Sequence, residues 1–166
     1  AMGSYTLARA WNLADYELPE DSRNLAAEKG PASTDIRHAV TSALVWQLPG
    51  TGAVTRGWSL AGSLIARSGR PYTVTWGDDR TGTTQNDARP DGRNTRRTGP
   101  YRTVDLALTR RLHAPVADLD ARVEMFNVLD AVNYDGYVGA LLSPLFGQPV
   151  SAFPARRVQF SLVVRF

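Results

Sequence analysis

Histidine and carboxylate side chains are the residues that would carry acid–base chemistry in this sequence. It contains two histidines, His38 and His113, and no cysteine. Because cysteine is absent, a thiol nucleophile, a disulfide framework and a cysteine-ligated metal site are all excluded. Asp35 precedes His38 by three residues, and in an extended chain such residues point to opposite faces. The sequence therefore predicts no catalytic site, and we expect that the protein is not an enzyme.

A run of carboxylates between residues 77 and 91 is the other cluster that could do chemistry. It contains Asp78, Asp79, Asp87 and Asp91. Calcium prefers oxygen ligands of this kind, but the alternating spacing and the closing Glu of an EF-hand loop are missing, and arginines lie nearby. We therefore predict a solvated loop, and we expect neither a metal nor another cofactor.

The composition is that of one ordered domain. The 166 residues are 43% hydrophobic and 21% charged, with 19 basic and 16 acidic side chains, which gives a net charge of +3. The basic residues are dispersed among acids, so the small excess does not indicate a nucleic-acid partner. No apolar stretch reaches the roughly 18 residues of a transmembrane helix.

Apolar and polar residues alternate with a period of two, which is typical of strands with two different faces. The clearest case sets Leu119, Ala121, Val123 and Met125 against Asp118, Asp120, Arg122 and Glu124. The alternation predicts strands near 5–11, 37–48, 57–67, 101–112, 118–128 and 157–166. All but the first approach or exceed the roughly 9–11 residues with which a tilted strand crosses a bilayer core.

The connections between these strands alternate in length. Three long connections, at 12–36, 77–100 and 130–155, are rich in Gly, Pro, Asp and Asn, and two short ones lie at 49–52 and 113–116. Outer-membrane barrels combine long external loops with short periplasmic turns in this way. The predicted fold is all-β: an antiparallel transmembrane β-barrel segment of about six strands, located in the bacterial outer membrane.

The charged face of the strands is assigned to the barrel interior. The residues predicted to face the lumen are Asp105, Asp118, Asp120, Arg122 and Glu124. A soluble antiparallel sandwich or barrel would show the same alternation, because one face of each strand then packs on a core. Alternation alone leaves both interpretations open.

The C-terminal strand carries the most specific local pattern. Apolar side chains occupy every second position from Val158 to the final Phe166. This pattern resembles the terminal assembly signal of outer-membrane barrels, and the residues assigned to it are Gln159, Ser161, Val164 and Phe166. The resemblance implies that the barrel-assembly machinery and outer-membrane lipid are partners.

Several segments, in order, resemble the C-terminal barrel of TonB-dependent receptors of the Oar-like type. They read YTLARAW at 5–11, DIRH at 35–38, SGRPYT at 68–73, FNVLDAVNY at 126–134 and PARRVQ at 154–159. The resemblance covers nearly the whole chain and implies an outer-membrane receptor that takes up a substrate. Such receptors have a barrel of about 22 strands, a plug domain and an energy-coupling box. The resemblance covers only about six of the barrel strands and neither the plug nor the box, so it assigns no transport role to any residue of this sequence.

Three issues follow from the strand count and the chain start. Ala1 to Gly3 resemble a cloning scar, which leaves residues 4–166 as the barrel segment. Six strands are fewer than the roughly eight of the smallest closed barrels, so the edge strands need partners. These partners come from a larger receptor, from self-association of copies, or from extra strands within the long loops. The alternatives to a receptor are a non-transporting oligomeric outer-membrane barrel or surface-loop binding module and, third, a soluble β-barrel binding protein.

Overall fold

The computed structural model describes residues 1–15, 19–52, 54–82, 88–113 and 115–166. In this part of the chain the regular structure is extended, apart from one short 3-10 helix at Leu25–Glu28. The strands are β1 (Met2–Leu7), β2 (Trp11–Asn12), β3 (Gly30–Pro31), β4 (His38–Gln47), β5 (Trp58–Arg67), β6 (Pro71–Tyr72), β7 (Arg96–Arg97), β8 (Tyr101–His113), β9 (Asp118–Phe126) and β10 (Arg157–Arg165). None of the described residues forms a helix long and apolar enough to span a membrane.

The six long strands form one antiparallel sheet. Their order is β1-β4-β5-β8-β9-β10, so each pairs with the next long strand along the chain. The long connections, at 8–37, 68–100 and 127–156, leave one end of the sheet, and the short ones, at 48–57 and 114–117, leave the other. The predicted all-β antiparallel fold, with long connections at one end of the sheet and short turns at the other, is confirmed.

Strand pairing divides the sheet into two faces of opposite character. One row across the sheet runs from Leu44 through Gly62, Leu106 and Met125 to Val158. The next runs from Trp46 through Leu60, Leu108 and Val123 to Phe160. We call this side of the sheet the apolar face, and the opposite side, which carries Asp105 and Glu124, the polar face.

The burial of the two faces is the reverse of that in a soluble protein. On the apolar face, Phe160 is 76% exposed and Leu162 is 65% exposed, whereas Thr103 and Asp120 on the polar face are buried. Water-soluble proteins rarely expose a continuous apolar surface of this extent. Such a sheet is suited to contact with lipid on its apolar face.

The first strand lies earlier than predicted. The alternation predicts residues 5–11, whereas β1 covers Met2–Leu7. The chain leaves the sheet after Ala8 because the backbone N–H of Ala10 donates to the buried carboxylate of Asp35 instead of a strand partner. Met2 pairs with Ala43 and Gly3 pairs with Ser42, so two of the residues that resemble a cloning scar lie within β1.

The fifth long strand ends earlier than predicted. The alternation extends it to residue 128, but β9 ends at Phe126. Asn127 has a φ angle of +52°, a left-handed conformation that asparagine tolerates better than most residues. Its backbone N–H donates to Asp105 Oδ1 at 2.9 Å, and the chain turns away from the sheet.

The apolar face has a cation near each end. On β8, Arg102 lies toward the long connections and Arg110 toward the short ones, and Leu106 is midway between them. The eight residue steps from Arg102 to Arg110 span about 27 Å along the strand. At a tilt of about 40° this distance approaches the apolar height of an outer-membrane barrel.

The different character of the two faces predicts that an arginine is more costly on the apolar face than at an exposed position on the polar face. Leu106→Arg introduces a charge at mid-depth on the apolar face and should lower the free energy of unfolding in a bilayer by about 2–4 kcal/mol. Gln159→Arg, on the polar face opposite Glu124, should change it by less than about 1 kcal/mol. Denaturant titration of the protein in lipid vesicles measures both, and equal losses would contradict the assigned polarity.

Candidate functional site

The polar face carries a ladder of ion pairs along β8, β9 and β10. Asp120 lies at its centre: Oδ1 is 2.9 Å from Arg111 Nε and Oδ2 is 2.7 Å from Arg165 Nη1. The three residues come from three adjacent strands. Asp120 is buried although both arginines are more than half exposed, so the carboxylate is screened from water by its own partners.

Two further ion pairs lie on this face. Arg122 Nη2 lies 2.6 Å from Glu124 Oε1, and His113 Nδ1 lies 2.8 Å from Asp118 Oδ1. The structure thus brings all five residues assigned to the lumen onto one face of the sheet: Asp105, Asp118, Asp120, Arg122 and Glu124. Because the described strands form an open sheet, the assignment of this face to a lumen stays a prediction.

A cavity of about 420 Å³ lies at the short-connection end of the polar face. Its lining residues are Gln47, Arg56, Gly57, Ser59, Thr109, Arg111 and His113. Three of them are basic or titratable, but Arg111 and His113 are each bound to an aspartate of β9. The cavity is therefore a polar recess whose charges are largely satisfied, suited to water and to contact with polar solutes.

The two histidines are far apart in the sheet. His38 belongs to the apolar face at the long-connection end, where it pairs with Leu7, and His113 belongs to the polar face at the opposite end. They cannot act on one substrate. No group of three potential metal ligands occurs in the described part of the chain, and the expectation that the protein is not an enzyme stays a prediction.

A buried cluster joins the first and second long connections. The Arg93 side chain is 1% exposed, and its Nη1 lies 3.2 Å from Asp15 Oδ2. Its Nε donates to the Glu28 carbonyl at 2.9 Å, and its Nη2 donates to the Asn12 carbonyl at 2.9 Å. Arg89 completes the cluster through an ion pair with the Glu28 carboxylate. The loop predicted to be solvated is exposed near Asp78 but becomes part of a buried cluster further on; Asp87 lies outside the described residues.

A second link holds the start of β4 to the same connection. The buried carboxylate of Asp35 accepts a hydrogen bond from Ala10 N–H at 2.8 Å and forms an ion pair with Arg97. Arg97 also donates to the carbonyl of Gly69 at 2.9 Å. A Cβ at Gly69 would lie 1.8 Å from the Thr98 carbonyl oxygen, so glycine is needed there. The DIRH and SGRPYT segments therefore meet at this link.

Burial and hydrogen bonding act in opposite directions on the two loop aspartates. Burial alone would raise the pKa of Asp35, but the Ala10 N–H and the Arg97 guanidinium outweigh it and hold the pKa below the usual value of 3.8. For Asp15, burial is likewise outweighed by hydrogen bonds from Asn12, Ser33 and Asn94 and by the charge of Arg93, so its pKa is also lowered. Both carboxylates are therefore charged when the loops are ordered.

Two asparagines of the FNVLDAVNY segment shape the third long connection. The Asn127 side chain accepts from Ala131 N–H at 3.1 Å and donates to the Ala131 carbonyl at 3.0 Å. Asn133 is 3% exposed and binds the backbone of Arg102 in the same manner, at 2.7 Å to N–H and 2.8 Å to the carbonyl. Sequence analysis missed these roles, and the only signal for them was the repeated asparagine after the end of a strand.

The residues of the C-terminal pattern divide between the two faces. Gln159 and Ser161 lie on the polar face, opposite Glu124 and Arg122, whereas Val164 lies on the apolar face opposite Leu119. Phe166 follows the end of β10 and is fully exposed. The role of Gln159, Ser161, Val164 and Phe166 in barrel assembly stays a prediction.

The exposed apolar face, the paired charges opposite it and the alternation of connections agree with a comparison against known families. Residues 1–92, more than half of the chain, match the model of the outer membrane beta barrel domain. The chain belongs to this family. It is therefore a β-barrel protein of the bacterial outer membrane, and the soluble alternative is not retained. Comparisons with curated proteins and with solved structures gave no match.

The lowered pKa of Asp35 makes the loop structure of this barrel domain sensitive to acid. A group whose pKa is lower in the folded state stabilises that state above its usual pKa, and this contribution is lost as the pH falls through the lowered value. We expect the Ala10 amide to exchange hydrogen faster as the pH falls below 3.8, after correction for the intrinsic exchange rate. Asp35→Asn should remove this pH dependence.

The same variant tests how much the buried ion pair contributes at neutral pH. Asp35→Asn should lower the free energy of local opening at Ala10 by about 3 kcal/mol or more, because it leaves Arg97 without its counter-charge. Asp78→Asn breaks an ion pair with Arg80 whose side chains are both 44% exposed, and it should cost less than about 1 kcal/mol. Similar costs for both variants would contradict a structural role for the Asp35 link.

Proposed function

We propose that this barrel domain forms the last strands of a TonB-dependent receptor that takes up a substrate across the outer membrane. The observation that carries the proposal is the open sheet with a lipid-type outer surface. Within the described residues, β1 pairs with β4 and β10 pairs with β9, so each has one free edge. Unpaired backbone groups inside a bilayer cost several kcal/mol each, so further strands must complete the barrel.

The polar face and the loops support a role in uptake rather than a purely structural one. Paired charges such as Asp120 with Arg111 and Arg165 keep a face wet without leaving an isolated charge. The long connections are held in defined positions by Arg93, Arg97 and Asn133, which suits loops that present a fixed surface to an arriving solute. The segments that resemble TonB-dependent receptors, in the order in which they occur along the chain, also support the proposal.

Uptake can be tested in the parent bacterium without knowing the substrate. Strains with and without the receptor gene are grown in the same medium, and solute depletion is compared by mass spectrometry. We expect at least one solute to be depleted only when both the receptor and the energy-coupling system are intact. Depletion that persists after the coupling system is disabled would indicate a passive pore, and no difference between strains would contradict transport.

A second candidate, a non-transporting oligomeric barrel, is favoured by the direction of the two edge strands. β1 runs from the short-connection end of the sheet toward the long connections, and β10 runs the opposite way. The free edges of two copies could therefore pair antiparallel in a closed ring. This arrangement would satisfy the edges without additional strands of the same chain.

Cysteine crosslinking distinguishes the two candidates, because cross-strand partners must lie on the same face. Ser4→Cys on the polar face of β1 is combined in turn with Ser161→Cys, Val163→Cys and Arg165→Cys on the polar face of β10. The oligomeric candidate predicts a disulfide between copies for one of these pairs, and the receptor predicts none. Tyr5→Cys, on the apolar face, is the control and should not crosslink with any of them.

A further inference from the structure

The external margin of the apolar face combines an arginine and a histidine with an apolar surface. One row across this face runs from Tyr5 through Val40 and Ala66 to Arg102, and His38 lies one row closer to the long connections. Both His38 and Arg102 are exposed. Below them the rows of Leu, Val and Phe continue to the other end of the sheet. We call His38 and Arg102, with Ala66 between their strands, the external basic margin.

The charge of Arg102 is not neutralised within the sheet. No Asp or Glu lies on the apolar face of the six long strands. The Arg102 guanidinium makes no ion pair or hydrogen bond among the described residues, although its backbone is held at both N–H and carbonyl by Asn133. Because its backbone is fixed and its guanidinium is unpaired, Arg102 can donate hydrogen bonds to an anion from outside the chain.

His38 offers a second hydrogen-bond donor. Its Nδ1 lies 2.9 Å from the Tyr5 hydroxyl, and the two rings are stacked at 6.3 Å between centroids. When the phenol donates to Nδ1, the neutral imidazole carries its proton on Nε2. That N–H has no partner among the described residues. In this tautomer His38, which lies on the apolar face, keeps Nε2–H as a donor for an outside group.

The spacing of the two donors allows one lipid phosphate to reach both. Their strands, β4 and β8, are separated by β5, which gives a lateral distance of about 10 Å, and the offset of one row adds about 7 Å along the strands, so the two Cα atoms lie about 12 Å apart. Between them Ala66 presents only a methyl group, and the long Arg102 side chain can extend over it toward His38. The opposite margin differs, because Arg110 there lies against the Trp58 ring, with its guanidinium carbon 5.1 Å from the ring centroid.

We propose that the external basic margin binds the phosphate monoester of a lipid in the external leaflet of the outer membrane, with the acyl chains on the apolar rows below. The phosphate oxygens accept hydrogen bonds from Arg102 and from His38 Nε2–H, and the interaction adds charge complementarity to the apolar contact. The class of lipid that fits is a phosphorylated glycolipid such as lipid A. This inference rests on the family's membrane location and is independent of uptake.

Lipid binding by the assembled barrel in dodecyl maltoside tests the proposal. Native mass spectrometry counts bound lipid A that carries its phosphates, and lipid A from which the phosphates have been removed serves as the comparison. We expect a clear preference for the phosphorylated form, and about tenfold weaker binding after Arg102→Gln, the effect of losing one charge-assisted hydrogen bond. His38→Phe, which keeps a ring but removes the donor, should weaken binding in the same direction.

Two variants separate a defined site from general attraction to phosphate. Arg110→Gln removes a cation from the opposite margin of the same face and should leave the affinity little changed. Arg102→Lys keeps the charge and should retain most of the binding, and it also gives a result if Arg102→Gln does not assemble. Equal binding of both lipid A forms, or an equal loss from Arg110→Gln and Arg102→Gln, would overturn the proposal.

Discussion

The pairing register of the sheet is the constraint on which the rest of the structure depends. Side chains alternate between faces along a strand, so a slip of β8 by one residue against its neighbours would move Leu106 and Leu108 to the polar face. A slip of β9 by one residue would instead place Asp120 and Glu124 in lipid, where an unpaired charge is strongly unfavourable. The charges of the polar face and the leucines of the apolar face therefore select the same register for opposite reasons. A one-residue slip of any of these strands is therefore unfavourable on both faces of the sheet.

The loops are ordered by a different principle, since they contain little regular structure. Arg93 is almost completely buried, and its charge is tolerated because Asp15 and the carbonyls of Asn12 and Glu28 surround it. A buried ion pair adds little net stability compared with apolar packing, but removal of one partner is costly. Such a cluster therefore specifies one arrangement of two loops more strongly than it stabilises them. The Asp35 link works in the same way at the point where β4 begins.

The sequence reveals the sheet more readily than the loops because the two are encoded over different distances. Alternation is a local property, so the residues that share a face with Asp120 or with Leu106 can be assigned from neighbours two positions away. The contact between Arg93 and Asn12 joins residues 81 positions apart, and no local pattern marks it. The early end of β1 has the same origin, because Ala10 is drawn away by a carboxylate 25 residues further along. The five charged residues assigned to the lumen were placed on one face from local alternation, whereas Asn127, Asn133 and Arg93 required the fold.

The positions of the edge strands show what kind of closure the sheet demands. Met2 pairs with Ala43, one residue to the external side of the row that connects Leu44 with Val158. All of β1 therefore lies on the external side of that row, whereas β10 extends from Val158 toward the periplasmic side as far as Arg165. Flat closure of β10 on β1 would leave most backbone groups of both edges unpaired. A barrel avoids this through the stagger that accompanies strand tilt, and any strand that pairs with β10 must be displaced toward the periplasm relative to β1. This offset applies equally to additional strands of a receptor and to a second copy of the chain.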